Sequence, residues 1–261
     1  MKVACTVQYN GAAYFGFQVQ KDCITVQEQL EKVLHRYFQN PIRITPAGRT
    51  DTGVHSVGQV IHFDLEAKTE FSKEELELAI YNLNSMLPRD ISIIHADFVP
   101  DKFHARYSCF QRKYLYRVVR SDYRMAIHGN CLWVRHPLNV TKMEEAAQVL
   151  IGEHDFASFT KEIYSRNNEI TIRRIDNIVI EENAPKINFY YSGSGFLHNM
   201  IRIITGTLLK VGKGEITPAD IEKILHARTR DHIGDTLPPF PLIFLEALYE
   251  DYKTPPELLT V

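Results

Sequence analysis

Thr25-Val26-Gln27-Glu28-Gln29-Leu30-Glu31-Lys32-Val33-Leu34-His35-Arg36-Tyr37-Phe38 carries two signals at once. Thr25 followed by Glu28 has the spacing of a capping box, which opens helices. Behind it Val26, Leu30, Val33, Leu34, Tyr37 and Phe38 recur at helical intervals and form one apolar face, with Pro41 just beyond the end. A helix with a single apolar face has to bury it against another element. Upstream, residues 3–9 alternate apolar and polar side chains, the period of a strand with one buried face. Downstream, residues 57–63 read as a second strand. Ser72-Lys73-Glu74-Glu75 is another capping box; its helix turns Leu76, Ala79, Ile80, Leu83 and Leu87 inward and stops at Pro88. Residues 91–98 are a third strand. The first hundred residues therefore read strand, helix, strand, helix, strand.

The pattern then restarts. Residues 113–119 form a strand with Tyr114, Tyr116 and Val118 on one face. Thr141 is expected to cap a helix running through Ile151 and closed by Gly152. Strands over 170–180 and 187–191 flank a turn at Asn183-Ala184-Pro185. A helix over 196–209 places Leu197, Met200, Ile201, Ile204 and Leu208 on one stripe. Thr217-Pro218 starts a short helix, and residues 242–249 are the last strand. The expected class is α+β: two ferredoxin-like (RRM-like) lobes, residues 1–105 and 106–261, sharing a mainly antiparallel sheet with a central cleft.

No run approaches the eighteen or more apolar residues of a membrane span, and residues 1–7 lack a signal peptide's apolar core, so a cytoplasmic protein without a membrane partner is expected. The four cysteines are scattered with no C-x-x-C pair, and the eleven histidines show no ligand spacing; no metal site is expected. Net charge is -2, but its distribution is uneven. Between Lys102 and Arg135 eight basic residues face the single acid Asp122, interleaved with Phe103, Tyr107, Phe110, Tyr114, Tyr116, Tyr123 and Trp133. Such a segment fits either an RNA surface or a strand with solvated arginines.

Three constellations carry possible chemistry. In Ala47-Gly48-Arg49-Thr50-Asp51-Thr52-Gly53-Val54-His55, a lone carboxylate sits between two glycines with an arginine two residues before it. Glycines permit positive φ and close approach to a ligand, and the arginine fork suits phosphate. A single acid without a second acid or metal ligands points to a nucleophile; a polar turn whose Asp caps its own backbone is the other reading. In Phe103-His104-Ala105-Arg106 and Arg112-Lys113-Tyr114-Leu115-Tyr116, two tyrosines share a strand face, one able to stack on a base and the other to pack beneath it. Two tyrosines on one strand face are more often half-buried core. In Gly195-Phe196-Leu197-His198-Asn199-Met200-Ile201-Arg202, helical spacing puts Arg202 off the apolar stripe on the flank of His198, aimed at a cleft or at solvent. No Walker loop, Rossmann fingerprint or nucleophile elbow is present, and His232-Ile233-Gly234-Asp235 lacks the context of an adenylate site.

Taken together, residues 47–60, 103–106, 112–116 and 195–208 closely resemble, in order and spacing, the motifs of the tRNA pseudouridine synthase A family. The opening Tyr9-Asn10-Gly11-Ala12-Ala13-Tyr14-Phe15-Gly16-Phe17-Gln18 resembles that family as well. The likeness covers essentially the full length. It implies isomerisation of uridine to pseudouridine in the tRNA anticodon stem-loop, at nominal positions 38, 39 and 40, by a homodimer with no metal or organic cofactor. It makes Asp51 the catalytic carboxylate, Tyr114 the residue stacking on the uracil and handling protons, and Arg202 the partner of Asp51. Arg49 would contact the RNA backbone and hold the flipped nucleotide. His55, Arg106, Lys113, Tyr116 and Leu197 fall in the same motifs as candidate substrate-binding positions. Two places depart from the family pattern: Leu237-Pro238-Pro239-Phe240-Pro241-Leu242 has Pro241 where a glycine is usual, and Thr52 stands in place of alanine. A non-catalytic RNA-binding module, or a paralogue with another uridine target, are the alternatives.

Overall fold

The structure, a computed structural model, describes residues 1–65, 71–160, 171–228 and 233–261. The chain forms two compact units, Met1–Arg112 with Ile243–Val261, and Lys113–Leu242. Each is a mixed α+β arrangement on a mainly antiparallel sheet.

In the first unit, β1 (Lys2–Tyr9) lies between β3 (His55–Asp64) and β4 (Ile91–Val99), antiparallel to both. The two-residue β2 (Thr45–Pro46) pairs with Ile61 and His62 near the C-terminal end of β3. The last strand, β10 (Leu242–Leu248), returns to run parallel to β3 at Ile243 and Phe244. Helices α1 (Val26–Phe38) and α2 (Lys73–Met86) bury Leu30, Leu34, Leu76 and Leu83 against Val3, Cys5, Val7, Ile61, Phe63, Ile91 and Ile93. Each such aliphatic side chain contributes roughly 1.5–3 kcal/mol.

Strand β1 is not one-faced. Thr6, on the side away from the helices, is fully buried, its hydroxyl bonded to Tyr252 Oη at 2.8 Å and Thr254 Oγ1 at 2.6 Å. Gln8 donates to Leu258 O nearby. The alternation was genuine, but polar residues on the second face are covered by a tail that satisfies them. The Ser72 box closes reciprocally with Glu75. At α1 only half of the box forms: Thr25 Oγ1 accepts from the Glu28 amide, while the Glu28 carboxylate pairs with Lys32 at 2.7 Å.

The second unit holds β5 (Gln111–Arg120), β6 (Leu132–Val134), β7 (Gly152–Asp155), β8 (Ile172–Asn183) and β9 (Lys186–Gly193), in the order β5-β9-β8-β7 with β6 parallel to β5. Its helices are α3 (Val140–Val149), α4 (Met200–Lys213) and α5 (Pro218–Ala227). Three expectations shift. Asn139, not Thr141, caps α3, its side chain accepting from the Lys142 amide. Gly152, at φ 110°, opens β7 instead of closing that helix. Helix α4 starts at Met200, four residues later than the apolar spacing implied, because Asn199 takes a left-handed conformation at φ 63°. Leu197 and His198 therefore precede the helix, and Arg202 is not one turn along from His198. The expected start of β8 at Ile170 lies outside the described residues.

Candidate functional site

The Asp51 loop is fixed along its whole length. Ala47 N donates to Val60 O at 2.7 Å. The Gln59 carboxamide straddles Gly48, donating to its carbonyl at 2.8 Å and accepting from its amide at 3.4 Å. Thr50 is buried, its hydroxyl 2.8 Å from Tyr9 Oη and its carbonyl accepting from Phe17 N at 3.1 Å. Burial pushes the Tyr9 phenol up to about 12, so it stays a neutral hydrogen-bonding group. Asp51 O then accepts from Val54 N at 3.1 Å, with Gly53 between them at φ 81°. That is the geometry of a type II turn, whose third position calls for glycine.

Close packing behind the turn explains two more glycines. A Cβ on Gly11 would come within 1.9 Å of Val54 O; one on Gly16, at φ 83°, would lie 2.8 Å from Thr50 O and 3.4 Å from the Asp51 carbonyl carbon. The residue 9–17 segment thus forms the rear wall of the loop. On this support Asp51 is half-buried and Arg49 exposed. His55 is buried, with Nδ1 accepting from Gly11 N at 3.1 Å.

A residue to which the sequence assigned no role of its own, beyond its place in the basic segment and the 112–116 motif, anchors the loop from the other side. Arg112 is buried, donating Nε and Nη2 to Ala47 O at 3.0 and 2.8 Å, Nη2 to Arg106 O at 2.6 Å and Nη1 to Cys109 O at 3.2 Å. A buried guanidinium is tolerated only with its donors satisfied. Of the basic segment, Lys102, Arg106, Arg120, Arg124 and Arg135 are exposed, and Lys113 and Arg117 half-buried.

In the second unit, Tyr114 is buried, with the Phe196 ring packed edge-on at 5.3 Å. Tyr116 is fully buried and donates to Pro238 O at 2.9 Å; burial raises its phenol well above the usual range. Arg202 is half-buried, giving Nε to Leu237 O and Nη1 to Asn199 Oδ1, both at 2.6 Å. The left-handed Asn199 that delays α4 is therefore also the acceptor that orients the arginine. Leu197 is half-buried, with its amide directed at Met200 Sδ, 3.4 Å away.

The segment from Ile233 onward straps one face of α4. Lys210 Nζ donates to Ile233 O, Thr207 Oγ1 accepts from Gly234 N, and Arg202 holds Leu237 O. Gly206 and Gly234 touch backbone to backbone: a Cβ on the first would lie 2.3 Å from Asp235 O, one on the second 2.1 Å from the Gly206 carbonyl carbon. The proline-rich departure at 237–241 thus supplies consecutive carbonyls that fix Arg202 and Tyr116. Of the 232–235 stretch, His232 lies outside the described residues.

Among the described residues no group of three or more His, Cys, Asp or Glu side chains is placed to hold a metal ion, and no helix is long and apolar enough to cross a membrane. Within the first unit the arrangement presents an ionisable carboxylate on a rigid turn beside an exposed arginine fork. In the second it presents a buried tyrosine and a geometrically locked arginine.

Comparison with known proteins agrees with the motifs. A family model described as tRNA pseudouridine synthase matches residues 5–108 and 146–250. The chain is 39% identical over 248 residues to tRNA pseudouridine synthase A of Thermoanaerobacter sp. (strain X514), covering 95% of this chain and 99% of that protein. It is 40% identical over 244 residues to the protein of that name from Halalkalibacterium halodurans, covering 93% and 90%. The Leptospira biflexa protein of the same name is 38% identical over 262 residues, covering 99% and 97%. The chain belongs to the tRNA pseudouridine synthase family.

Proposed function

We propose that the protein isomerises uridine to pseudouridine in tRNA, with Asp51 as the catalytic carboxylate and the anticodon stem-loop, at nominal positions 38, 39 and 40, as the target. The reaction breaks the bond between the ribose anomeric carbon and uracil N1, turns the base and joins the same carbon to C5. The C5 proton leaves and N1 gains one, so no electrons are exchanged with an outside reagent. What it needs is a nucleophile or ion stabiliser held in register with a flipped base.

The observation that carries this reading is the support of Asp51: a carboxylate left half-buried on a turn whose neighbours on both sides are hydrogen-bonded into the fold. Such pre-organisation keeps the reacting group in place without cost at the moment of reaction. Arg202 serves as the carboxylate's partner, favouring its charged form. Tyr114 stacks on the uracil, a contact of about 1–3 kcal/mol that offsets part of the unstacking cost. Arg49 and Arg106 take phosphates, Lys113 and His55 line the substrate path, and Leu197 contributes apolar contact. Tyr116, fully buried, acts through Pro238 and is a positioning residue. We read the two lobes as ferredoxin-like, the first unit carrying the Asp loop and the second the tyrosine strand and arginine helix, and the active form as a homodimer.

The test is pseudouridine formation on an unmodified tRNA transcript. Asp51→Ala lowers the rate by at least about a thousand-fold while retaining RNA affinity. Wild-type rates in the mutant would refute the assignment of Asp51. Binding without product from the wild type would favour a non-catalytic RNA-binding module.

A further inference from the structure

Residues 103–108 form a turn in which nearly every backbone group is tied down. His104 Nδ1 accepts from the amides of Arg106 and Tyr107, both at 3.2 Å. His104 O accepts from Ser108 N at 2.8 Å, and Ser108 Oγ accepts from His104 N at 3.0 Å. His62 Nδ1 accepts from Ala105 N at 3.1 Å, Tyr249 Oη donates to Ala105 O at 2.6 Å, and Arg112 takes Arg106 O. Both imidazoles have to be neutral at Nδ1 for these bonds. Burial and the Lys2 charge hold both below their ordinary pKa, His62 down to about 4.

Rings stack outward through this turn. Phe103, fully buried, meets His62 edge-on at 6.0 Å; His62 lies 4.8 Å from His104, and His104 lies 4.3 Å from Tyr107 at 32°. The column ends at a tyrosine that is 78% exposed, with the Arg106 guanidinium carbon 5.9 Å from its ring centroid. An ordinary surface tyrosine samples several rotamers; this one is backed by an imidazole and rooted in the core. An exposed aromatic ring braced from the core, with a guanidinium over it at cation–π distance, is an arrangement that binds an unpaired nucleotide, base on ring and phosphate on cation. Arg112 links this turn to Ala47 O, two residues before Arg49, so the platform and the Asp51 loop are fixed within one unit by one buried side chain.

We propose that Tyr107 and Arg106 form a second nucleotide-binding platform, distinct from the Asp51 turn, that stacks an unpaired base of the RNA substrate and grips its phosphate. This rests on the part of the proposed function that makes RNA the bound partner, not on the chemistry. The platform adds affinity and register outside the reacting nucleotide, and its charge complements RNA on a chain whose overall charge is -2.

The test is equilibrium binding of an unmodified tRNA transcript by fluorescence anisotropy across a salt series, alongside pseudouridine formation. Tyr107→Ala is expected to weaken binding about ten-fold, and Tyr107→Phe, which keeps the ring, to stay close to wild type. Arg106→Ala should reduce the slope of log affinity against log salt by about one phosphate contact. Thermal melting of each variant reports folding; because Tyr107 is exposed, its replacement leaves the melt in place. Unchanged affinity in Tyr107→Ala overturns the proposal, as does a Tyr107→Phe variant as weak as Tyr107→Ala. A change in sedimentation with no change in RNA binding also overturns it, by assigning the patch to protein contact. Wild type that binds RNA without making pseudouridine defeats the enzymatic reading but leaves this one standing. Pseudouridine formation by wild type, with Tyr107→Ala binding normally, defeats this one alone.

Discussion

At the scale of single residues, the loop around Asp51 is shaped, apart from the buried Arg112 guanidinium, by hydrogen-bonding side chains without formal charge. Gln59, Thr50 and Tyr9 act as hydrogen-bonding struts there, His55 Nδ1 accepts from Gly11 N in the rear wall, and His62 Nδ1 plays the same part in the 103–108 turn; a low-dielectric setting strengthens such bonds when every partner is present. For His62 this has a measurable consequence. Burial, then the His104 and Lys2 charges, lower its pKa to about 4 against an ordinary 6.5, with Asp64 opposing more weakly. Folding therefore favours the unprotonated ring. The stability it provides is complete above about pH 6.5 and is lost as pH falls toward 4, because the unfolded chain takes up a proton that the folded chain refuses. Between pH 7 and pH 5 the loss reaches at most about 2 kcal/mol, and His104, shifted in the same direction, adds to it. In urea unfolding followed by circular dichroism at the two pH values, His62→Gln is expected to lose clearly less stability than wild type over that interval. Equal losses would mean that His62 is protonated in the folded protein.

Among elements, α4 shows how two opposed effects are decided by magnitude. Gly206 lies inside the helix, where replacing glycine by alanine ordinarily gains about 1 kcal/mol of helix propensity. Here the added Cβ would sit 2.3 Å from Asp235 O, a backbone atom that moves only if the 233–238 strap moves with it. Overpacking of this kind costs typically 1–3 kcal/mol, so the sign reverses. Since the strap delivers Leu237 O to Arg202, Gly206→Ala should lower both the melting temperature and the rate of pseudouridine formation. RNA affinity should fall far less. A raised melting temperature would show that the strap yields freely. None of this was legible in the sequence, where nothing marked Gly206 and the 237–241 prolines stood only as a departure from the family pattern. What could be read were elements with local signatures: both N-terminal helices, the long strands and the Thr217 cap. What escaped were features set by partners distant in the chain. Examples are the Asn199 conformation, the two-residue β2, the Tyr252 and Thr254 cover over Thr6, and Arg112, whose charge suggested solvent while its burial makes it a strut. Asp51 itself stood out because glycines and a lone acid are local; its supports Gln59 and Tyr9 did not, because nothing in their neighbourhood marks them.

On the scale of the whole molecule, the first compact unit is not contiguous in sequence: Ile243–Val261 returns to it after the chain has built the whole of the second. No local periodicity announces such a return, and it makes the C-terminus a structural part of the unit that carries Asp51. Ile243, Phe244, Ala247, Tyr249 and Tyr252 are all buried, and Gly58 of β3 packs so closely that a Cβ there would meet Leu245 O at 2.1 Å. At roughly 1.5–3 kcal/mol for each large apolar side chain, removing residues 242–261 forfeits on the order of the entire stability of an ordinary domain. Removing only residues 251–261 is gentler. It keeps β10 and Tyr249 but strips Tyr252 and Thr254 from Thr6, opening that hydroxyl to water and losing two hydrogen bonds worth about 0.5–1.5 kcal/mol each, with the lost packing of Tyr252 in addition. The two truncations should therefore differ in kind. The shorter protein is expected to be cleaved rapidly by protease within residues 1–112. The longer one should melt several degrees below the full chain yet still convert uridine, because no residue assigned to the chemistry lies beyond Arg202. Limited proteolysis with mass mapping, together with thermal melts, separates these outcomes. If the chain ending at Pro241 resisted protease within residues 1–112 as well as the full chain does, β10 would be an accessory strand and the burial of its side chains would have little bearing on the fold around Asp51.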